Sequence, residues 1–284
     1  MPGAGLLTAI DHLVLLCGDI EVGTNAYSAL LGREPDWRAA SGGAATSLFR
    51  VDNTAIELMA PDGDAGAAPR LRELISGGAS LTSLAFRTDD ITEAHRLFTR
   101  RGLQPDAVQP GESTHLDTDA RRHWQRFRCS DEAMAGIKTF VIQPEFDSLA
   151  AKVDESCVHC MDHVVINTPN PDRAAANYGA RLGLDLRLDR TAEQWKTRFL
   201  FFRTGGLTLE IINGLDGASD PAANDHIWGL TWTVRDIEAA HARLARSGIE
   251  TSDVRKGRKP RTQVFTVKDR TLRVPTLFIA HSRD

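Results

Sequence analysis

Two His–Glu pairs stand at matching places in the two halves of this 284-residue chain: His12 with Glu57, and His163 with Glu210. Each histidine opens an apolar run, and each glutamate lies inside an alternating segment that is typical of a strand. An imidazole and a carboxylate held together can bind a divalent metal ion, or they can transfer protons as a general acid and base. We therefore take all four residues as candidate catalytic residues.

The segments around these pairs are duplicated. Asp11-His12-Leu13-Val14-Leu15 recurs as Asp162-His163-Val164-Val165-Ile166, and the segment around Glu57 recurs around Glu210 at nearly the same offset. A weaker pair of repeats covers residues 81–103 and 227–249. The chain therefore consists of four modules in an A-B-A′-B′ order, which implies duplicated structure.

Each module has the pattern of one strand, one amphipathic helix and then three short strands, or βαβββ. A glycine is expected to end each helix in a left-handed conformation, which glycine adopts most easily; these residues are Gly32, Gly102, Gly183 and Gly248. The predicted fold class is α+β, with two domains at residues 8–144 and 160–281 and a linker at residues 145–159.

Four βαβββ modules in pairs, with Asp-His on a first strand and Glu on a last strand, resemble the vicinal oxygen chelate superfamily. That superfamily includes glyoxalases, extradiol dioxygenases, epimerases and antibiotic-resistance proteins. The resemblance implies two tandem domains, each a cupped half-barrel whose first and last strands supply up to four metal ligands. It places the two His–Glu pairs at ligand positions, but the corresponding positions of the partner modules hold poor ligands: Ser83, Phe140, Gly229 and Leu277.

Three functions fit this incomplete ligand set. The first is metal-assisted lyase, isomerase or hydrolase chemistry on a small, largely apolar organic oxygen compound, with Zn, Ni, Mn or Fe bound by His163, Glu210 and, as third donor, His226. The second is a protein that binds and sequesters a small molecule without turnover. The third is metal-free acid–base catalysis by His12 with Glu57. Extradiol dioxygenase activity is disfavoured by the poor ligands, and no organic cofactor is expected.

Strand alternation predicts which side chains face the cups. The histidines should point into the concave faces, while Leu13, Leu15, Val164 and Ile166 should be buried beneath the helices. In the second half, the predicted concave residues are His163, Val165, Thr208, Glu210, Ile212, Gly229, Thr231, Leu277 and Ile279. Trp228 and Trp232 are expected in the core. The candidate ligand-binding residues are Trp195, Arg126, Arg261, Phe140 and Ser83, and we expect the second half to carry the site.

The composition limits the kinds of binding partner that we expect for this chain. The formal net charge is −4, which gives no global basic field for nucleic acid, and no apolar run approaches the roughly 20 residues needed to span a bilayer. Four cysteines do not form a disulfide framework, and Cys157 and Cys160 beside His159 fit a linker better than a zinc site. We expect a cytoplasmic monomer or homodimer whose partner is a small molecule.

Overall fold

The computed structural model describes residues 6–146, 149–217 and 220–281 of the chain. They form two eight-stranded sheets with helices against one face of each, and this confirms the α+β prediction of paired βαβββ units. None of the helices in these ranges is long and apolar enough to cross a membrane.

The first half contains eight strands and three helices. The strands are β1 Ala9–Leu16, β2 Trp37–Ser41, β3 Ala44–Val51, β4 Thr54–Pro61, β5 Ser80–Arg87, β6 Gln109–Thr114, β7 Arg121–Arg128 and β8 Lys138–Pro144. The helices are α1 Ile20–Leu31, α2 Ala68–Leu74 and α3 Ile91–Arg100. The sheet order is β2-β3-β4-β1-β5-β8-β7-β6, so the two modules join along their first strands.

The second half repeats this arrangement. Its strands are β9 Cys160–Asn167, β10 Asp185–Ala192, β11 Thr197–Thr204, β12 Leu207–Gly214, β13 His226–Thr233, β14 Arg255–Lys256, β15 Thr262–Val267 and β16 Thr276–His281. Helix α4 spans Pro171–Ala174 and continues as a π-helix over Ala175–Arg181, and α5 spans Ile237–Arg246. The sheet order is β10-β11-β12-β9-β13-β16-β15-β14.

One polar residue begins the first helix of every module. Its side chain accepts a hydrogen bond from a backbone N–H in the first turn, which satisfies a donor that the helix leaves without a partner. These N-caps are Asp19, Asp90, Asn170 and Asp236. The four glycines predicted to end these helices all have positive φ, between 68° and 81°. The same sequence signals therefore set the length of all four helices.

The helix-facing sides of the two sheets share one continuous apolar core. The residues predicted to lie beneath the helices are fully buried in it, as predicted: Leu13, Leu15, Val164 and Ile166. Arg243 on α5 also donates to the carbonyl oxygens of Ala29 and Leu30 at the end of α1. These two carbonyls lack partners within the helix, so the second half completes the helix end of the first.

The concave faces of the two sheets differ in how far they close. In the first half the two sheet edges meet, because the Leu116 backbone N–H donates to the Arg38 carbonyl at 2.9 Å and Trp37 Nε1 donates to Ser113 Oγ at 2.9 Å. In the second half, β14 has only two residues. The second concave face remains open as a cavity.

Candidate functional site

His163 on β9 points into this cavity, as strand alternation predicts. Its Nδ1 lies 2.7 Å from Oδ1 of Asp162. Because an ionised carboxylate only accepts hydrogen bonds, Nδ1 carries the proton and donates it. Nε2 faces Oγ1 of Thr231 at 2.8 Å and Oε2 of Glu210 at 3.4 Å. The reactive nitrogen of the imidazole therefore lies beside a carboxylate on the floor of the cavity.

Asp162 fixes this histidine and is itself held by two basic side chains. Lys259 Nζ donates to Oδ1 at 2.8 Å, and His281 Nε2 lies 3.2 Å from Oδ2. Burial disfavours the charged carboxylate, but hydrogen bonds from His163 and Lys259 outweigh it and hold the pKa of Asp162 well below its ordinary 3.8. Asp162 is thus ionised at neutral pH and sets the tautomer and orientation of the His163 ring.

The cavity has a volume of about 930 Å³ and mainly apolar walls. Cavities of about 300–1,000 Å³ hold ligands of drug-like size. Apart from Thr208, every residue that alternation predicted for this concave face lines it; they are His163, Val165, Glu210, Ile212, Gly229, Thr231, Leu277 and Ile279. Phe199 and Phe201 on β11 add aromatic wall, and Trp195 stands at the mouth. A polar pair on an apolar floor suits a small organic ligand.

Sheet register shows which residues of the two halves correspond. Ala85 lies opposite His12, and Thr231 lies opposite His163. Phe140 pairs with Ala85, and Leu277 pairs with Thr231, so Phe140 and Leu277 are equivalent. On the next strand, Arg128 pairs with Phe140 just as Thr266 pairs with Leu277. Counting back along β7 and β15 from these pairs makes Trp124 and Arg126 equivalent to Thr262 and Val264.

This correspondence explains why only the second concave face opens into the described cavity. In the first half, Arg122 binds Glu57 with Nη2 3.2 Å from Oε1, and its guanidinium lies over the rings of Trp37 and Trp124. Arg126 lies over Phe140 in the same way. Thr262 and Val264, which are smaller than Trp124 and Arg126, line the cavity in the second half. Glu210 lies 3.4 Å from Nε2 of His163, and no lysine or arginine among the residues that the structure describes forms an ion pair with it.

The first-half pair is therefore engaged with neighbouring side chains. His12 Nδ1 lies 2.7 Å from Oδ1 of Asp11, and Nε2 lies 3.9 Å from Oε2 of Glu57. Burial opposes the charged imidazolium, but the Asp11 hydrogen bond and the Glu57 charge raise the pKa of His12 above its ordinary value. Ser83, a predicted ligand-binding residue, is buried with its Oγ 3.2 Å from Thr82 Oγ1. Ser83 lies with Arg126 and Phe140 in the first half, where arginine side chains pack over aromatic rings.

The donor set does not fit a metal ion held by several protein ligands. Across residues 6–146, 149–217 and 220–281, no three His, Cys, Asp or Glu side chains come together in a way that could hold one. Thr231, which lies opposite His163 on β13, engages Nε2 of His163 through its hydroxyl. His163 and Glu210 are therefore two donors without protein partners for a metal.

The predicted third donor, His226, lies away from this pair. It is exposed at the start of β13, opposite Asn167 at the far end of β9, and its Nε2 is 3.1 Å from Asn167 Nδ2. It does not line the cavity. Residues 226 and 229 are close in sequence, which suggested that both lie at the same entrance to the cup. Because β13 is extended, three positions along it are enough to separate the two residues.

Trp195 and Arg261 differ in their relation to the cavity. Trp195 lines its mouth, is 45% exposed and lies beneath the guanidinium of Arg258, whose Cζ is 4.5 Å from the ring centroid. Arg261 has φ of 58° in the turn before β15 and does not line the cavity. Other members of the same basic segment do line it: Arg255, Arg258 and Lys259. These residues belong to the basic segment 255–261, whose turn is irregular, so strand alternation does not show which of its side chains point inward.

Trp228 is not in the core, contrary to the sequence prediction. Its side chain is 46% exposed and lines the cavity, whereas Trp232 is fully buried as predicted. Trp228 is an extra residue on β13, because the pairing with β9 shifts between Ile227 and Gly229. Such a β-bulge redirects a side chain and breaks simple alternation. The bulge therefore adds an aromatic side chain to the mouth of the site.

Family models match both halves of the chain. Residues 10–151 match the Glyoxalase-like domain, and residues 162–265 match the Glyoxalase/Bleomycin resistance protein/Dioxygenase superfamily. No curated protein matches the chain. The two matched segments contain the two His–Glu pairs, one in each.

Solved structures share the fold over nearly the whole chain. A mutant of 4-hydroxymandelate synthase from Streptomyces coelicolor is 13% identical with a TM-score of 0.72, covering 98% of this chain and 94% of that one. The Mn(II)-bound glyoxalase from Novosphingobium aromaticivorans is 13% identical with a TM-score of 0.66, covering 96% and 82%. A hypothetical protein from Staphylococcus aureus is 10% identical with a TM-score of 0.63, covering 96% and 100%. With tandem family matches on two eight-stranded cups, this chain belongs to the vicinal oxygen chelate superfamily as a two-domain, glyoxalase-like member.

Proposed function

We propose that the second half of the chain is an enzyme site that moves a proton on a small, largely apolar organic compound containing a carbonyl or similar oxygen group. The reaction class is that of an isomerase or lyase. The observation that carries the proposal is the His163–Glu210 pair on the floor of the cavity, where Glu210 lacks the arginine that binds Glu57 in the first half.

The chemistry follows from the hydrogen bonds around His163. Asp162 holds the proton on Nδ1, so the lone pair of Nε2 accepts a hydrogen bond from the Thr231 hydroxyl at the cavity floor, and the substrate displaces this hydroxyl when it binds. Nε2 removes a proton from the substrate, and the ionised Asp162 stabilises the imidazolium that forms. The imidazolium then returns this proton from Nε2 to a neighbouring substrate atom, and Glu210, whose Oε2 is 3.4 Å from Nε2, stabilises the imidazolium in between. Positioned proton transfer of this kind accelerates reactions by about 10²–10⁴-fold.

The apolar walls support the same reaction. Phe199, Phe201 and Leu277 exclude water from around the pair once a ligand is bound. A lower local dielectric strengthens the attraction between Asp162 and the imidazolium, which favours the charged intermediate state of the histidine. Before the substrate binds, Thr231 keeps the imidazole in place through its hydroxyl, 2.8 Å from Nε2.

Hydrogen–deuterium exchange tests this proposal without knowledge of the substrate. The full-length protein is incubated in D₂O with a panel of aryl and alkyl ketones, aldehydes and 2-oxo acids, and deuterium at carbon is followed by NMR. We expect catalysed exchange in at least one compound, its loss in His163→Gln and Glu210→Gln, and its persistence in excess chelator. Exchange that disappears with chelator and returns with Mn²⁺ or Zn²⁺ would instead support metal-assisted chemistry.

The cavity also suits a protein that binds a small molecule without converting it. The observation that favours this second function is the large, open and mainly apolar cavity in a chain that lacks two ligand side chains of the superfamily pattern. The same experiment separates the two functions. Saturable binding of a compound with no exchange above the uncatalysed rate in any member of the panel would support sequestration and contradict the enzyme.

A further inference from the structure

Three arginines surround the mouth of the cavity from both edges of the second sheet. Arg190 lies on the edge strand β10, Arg255 lies on β14 at the other edge, and Arg258 lies in the turn that follows. Arg258 reaches across to Trp195, which places one cation over the opening. The mouth is thus strongly basic in a chain whose net charge is −4.

These arginines differ from their neighbours in lacking acidic partners. Arg198 binds Asp189 and Asp172, and Arg187 binds Asp185. Lys259, which also lines the cavity, binds Asp162. Among the described residues, no carboxylate lies within ion-pair distance of the three arginines at the mouth. These neighbouring basic side chains are therefore neutralised by carboxylates, whereas the three arginines at the mouth are not.

The geometry points to a ligand that is an organic anion: an apolar body inside the cavity and one oxyanion group, carboxylate or phosphate, at the arginine cluster formed by Arg190, Arg255 and Arg258. The inference rests on the proposed function, because it names the substrate class of the same site. Guanidinium groups bind such oxyanions through paired N–H donors. Stacking on Trp195 restrains the Arg258 guanidinium and leaves its N–H edge available to the ligand.

The arrangement also orients the ligand. The arginine cluster lies at the rim and the His163–Glu210 pair on the floor, so a ligand held at its anionic end extends its apolar part along Phe199 and Leu277 toward the pair. A single charged anchor at one end and apolar walls elsewhere fix the direction in which a molecule enters. Such a site distinguishes an anion from a neutral compound of the same shape.

Calorimetric titration with matched probes tests the inference. Naphthalene-1-acetate and naphthalene-1-acetamide share an apolar body and differ in charge, and 1-naphthyl phosphate supplies the other oxyanion. We expect the acetate or the phosphate to bind the full-length protein at least about tenfold more tightly than the acetamide. The tighter of the two identifies the oxyanion that the site prefers. Raising the NaCl concentration should weaken only the anions.

The arginine cluster is tested by the double variant Arg255→Met/Arg258→Met, which should bind the anions about tenfold more weakly and the acetamide as before. Arg187→Met, an exposed arginine on β10 that does not line the cavity, is the matched control and should leave all three affinities unchanged. Equal binding of acetate, phosphate and acetamide, or no binding of any probe at millimolar concentration, would overturn the inference. Calorimetry measures binding alone, so the two proposals can fail separately. Catalysed deuterium exchange with no preference for anions would reject this inference and retain the proposed enzyme. Tighter binding of the anions with no catalysed exchange would reject only the enzyme.

Discussion

Arg122 and Glu57 form an ion pair across the concave face of the first sheet, with Nη2 3.2 Å from Oε1. The equivalent glutamate of the second sheet, Glu210, lines the cavity and lies 3.4 Å from Nε2 of His163. The duplicated modules therefore keep the same His–Glu pair in two different electrostatic settings. In one, the carboxylate is neutralised by the protein; in the other, it faces a cavity.

Removing the ion pair should cost stability in the first half. We expect Arg122→Met to lower the free energy of unfolding by about 1–2 kcal/mol, because the Arg122 and Glu57 side chains are only 29% and 12% exposed. In a double-mutant cycle with Glu57→Gln, urea denaturation should give a coupling of about 1 kcal/mol. A coupling of zero would mean that the two side chains are adjacent without stabilising one another.

The role of Asp162 should appear in the pH dependence of stability. Its pKa is lowered in the folded protein, so its ion pairs stabilise the fold above the ordinary value of 3.8 and lose this effect as pH falls through the folded pKa. We expect Asp162→Asn to lose about 1.5–3 kcal/mol at pH 7, the range for hydrogen bonds to charged groups. Urea unfolding at pH 7 and at decreasing pH should show this difference shrink in acid. A difference that is independent of pH would contradict the assignment.

The two tryptophans of β13 should separate ligand binding from stability. Trp232 is fully buried, so Trp232→Ala should lower the free energy of unfolding by about 3–5 kcal/mol. Trp228 is 46% exposed at the cavity mouth, so Trp228→Ala should change stability by less than about 0.5 kcal/mol. Thermal unfolding compares the two, and calorimetry with naphthalene-1-acetate should show weaker binding in Trp228→Ala. Equal destabilisation would place Trp228 in the core after all.

The matched histidines should differ in their effect on catalysis. We expect His163→Gln to slow deuterium exchange at least about 100-fold, which is the contribution of one positioned acid–base group. His12→Gln should leave the rate within about twofold, because His12 and Glu57 are engaged with Asp11 and Arg122. NMR exchange rates with the same compound compare both variants. A larger loss in His12→Gln would move the active site to the first half.

Strand alternation and the duplication predicted most of what positions the site. They placed His163 on a concave face and Val164 beneath the helices, and of the residues that they predicted for the second concave face all but Thr208 line the cavity. Alternation failed at Trp228, because one extra residue in β13 cannot be seen without the partner strand. Proximity along the chain also failed for His226, since an extended strand separates residues that are only a few positions apart.

The difference between the halves could not be predicted for a related reason. The positions of Arg122 in the first half and of the residues before β15 in the second half depend on how β7 and β15 pair with their neighbours, and the segment before β15 is irregular, with Arg261 at positive φ. Basic residues cluster in each half of the sequence, within residues 121–128 and 255–261. Only the structure showed that side chains of the first segment pack against the concave face of the first sheet, whereas side chains of the second segment lie at the rim of the cavity.

The shared apolar core has a consequence for the chain as a whole. Buried side chains of both halves form one cluster, and Arg243 binds the last carbonyl oxygens of α1. Either half alone would therefore expose apolar side chains, and the first half would also leave the end of α1 without these hydrogen bonds. Unfolding should therefore be a single cooperative transition, with equal calorimetric and van't Hoff enthalpies, even though the chain contains two copies of one fold. The first half, which has no open cavity of its own among the described residues, can then be retained because it stabilises the fold of the second half.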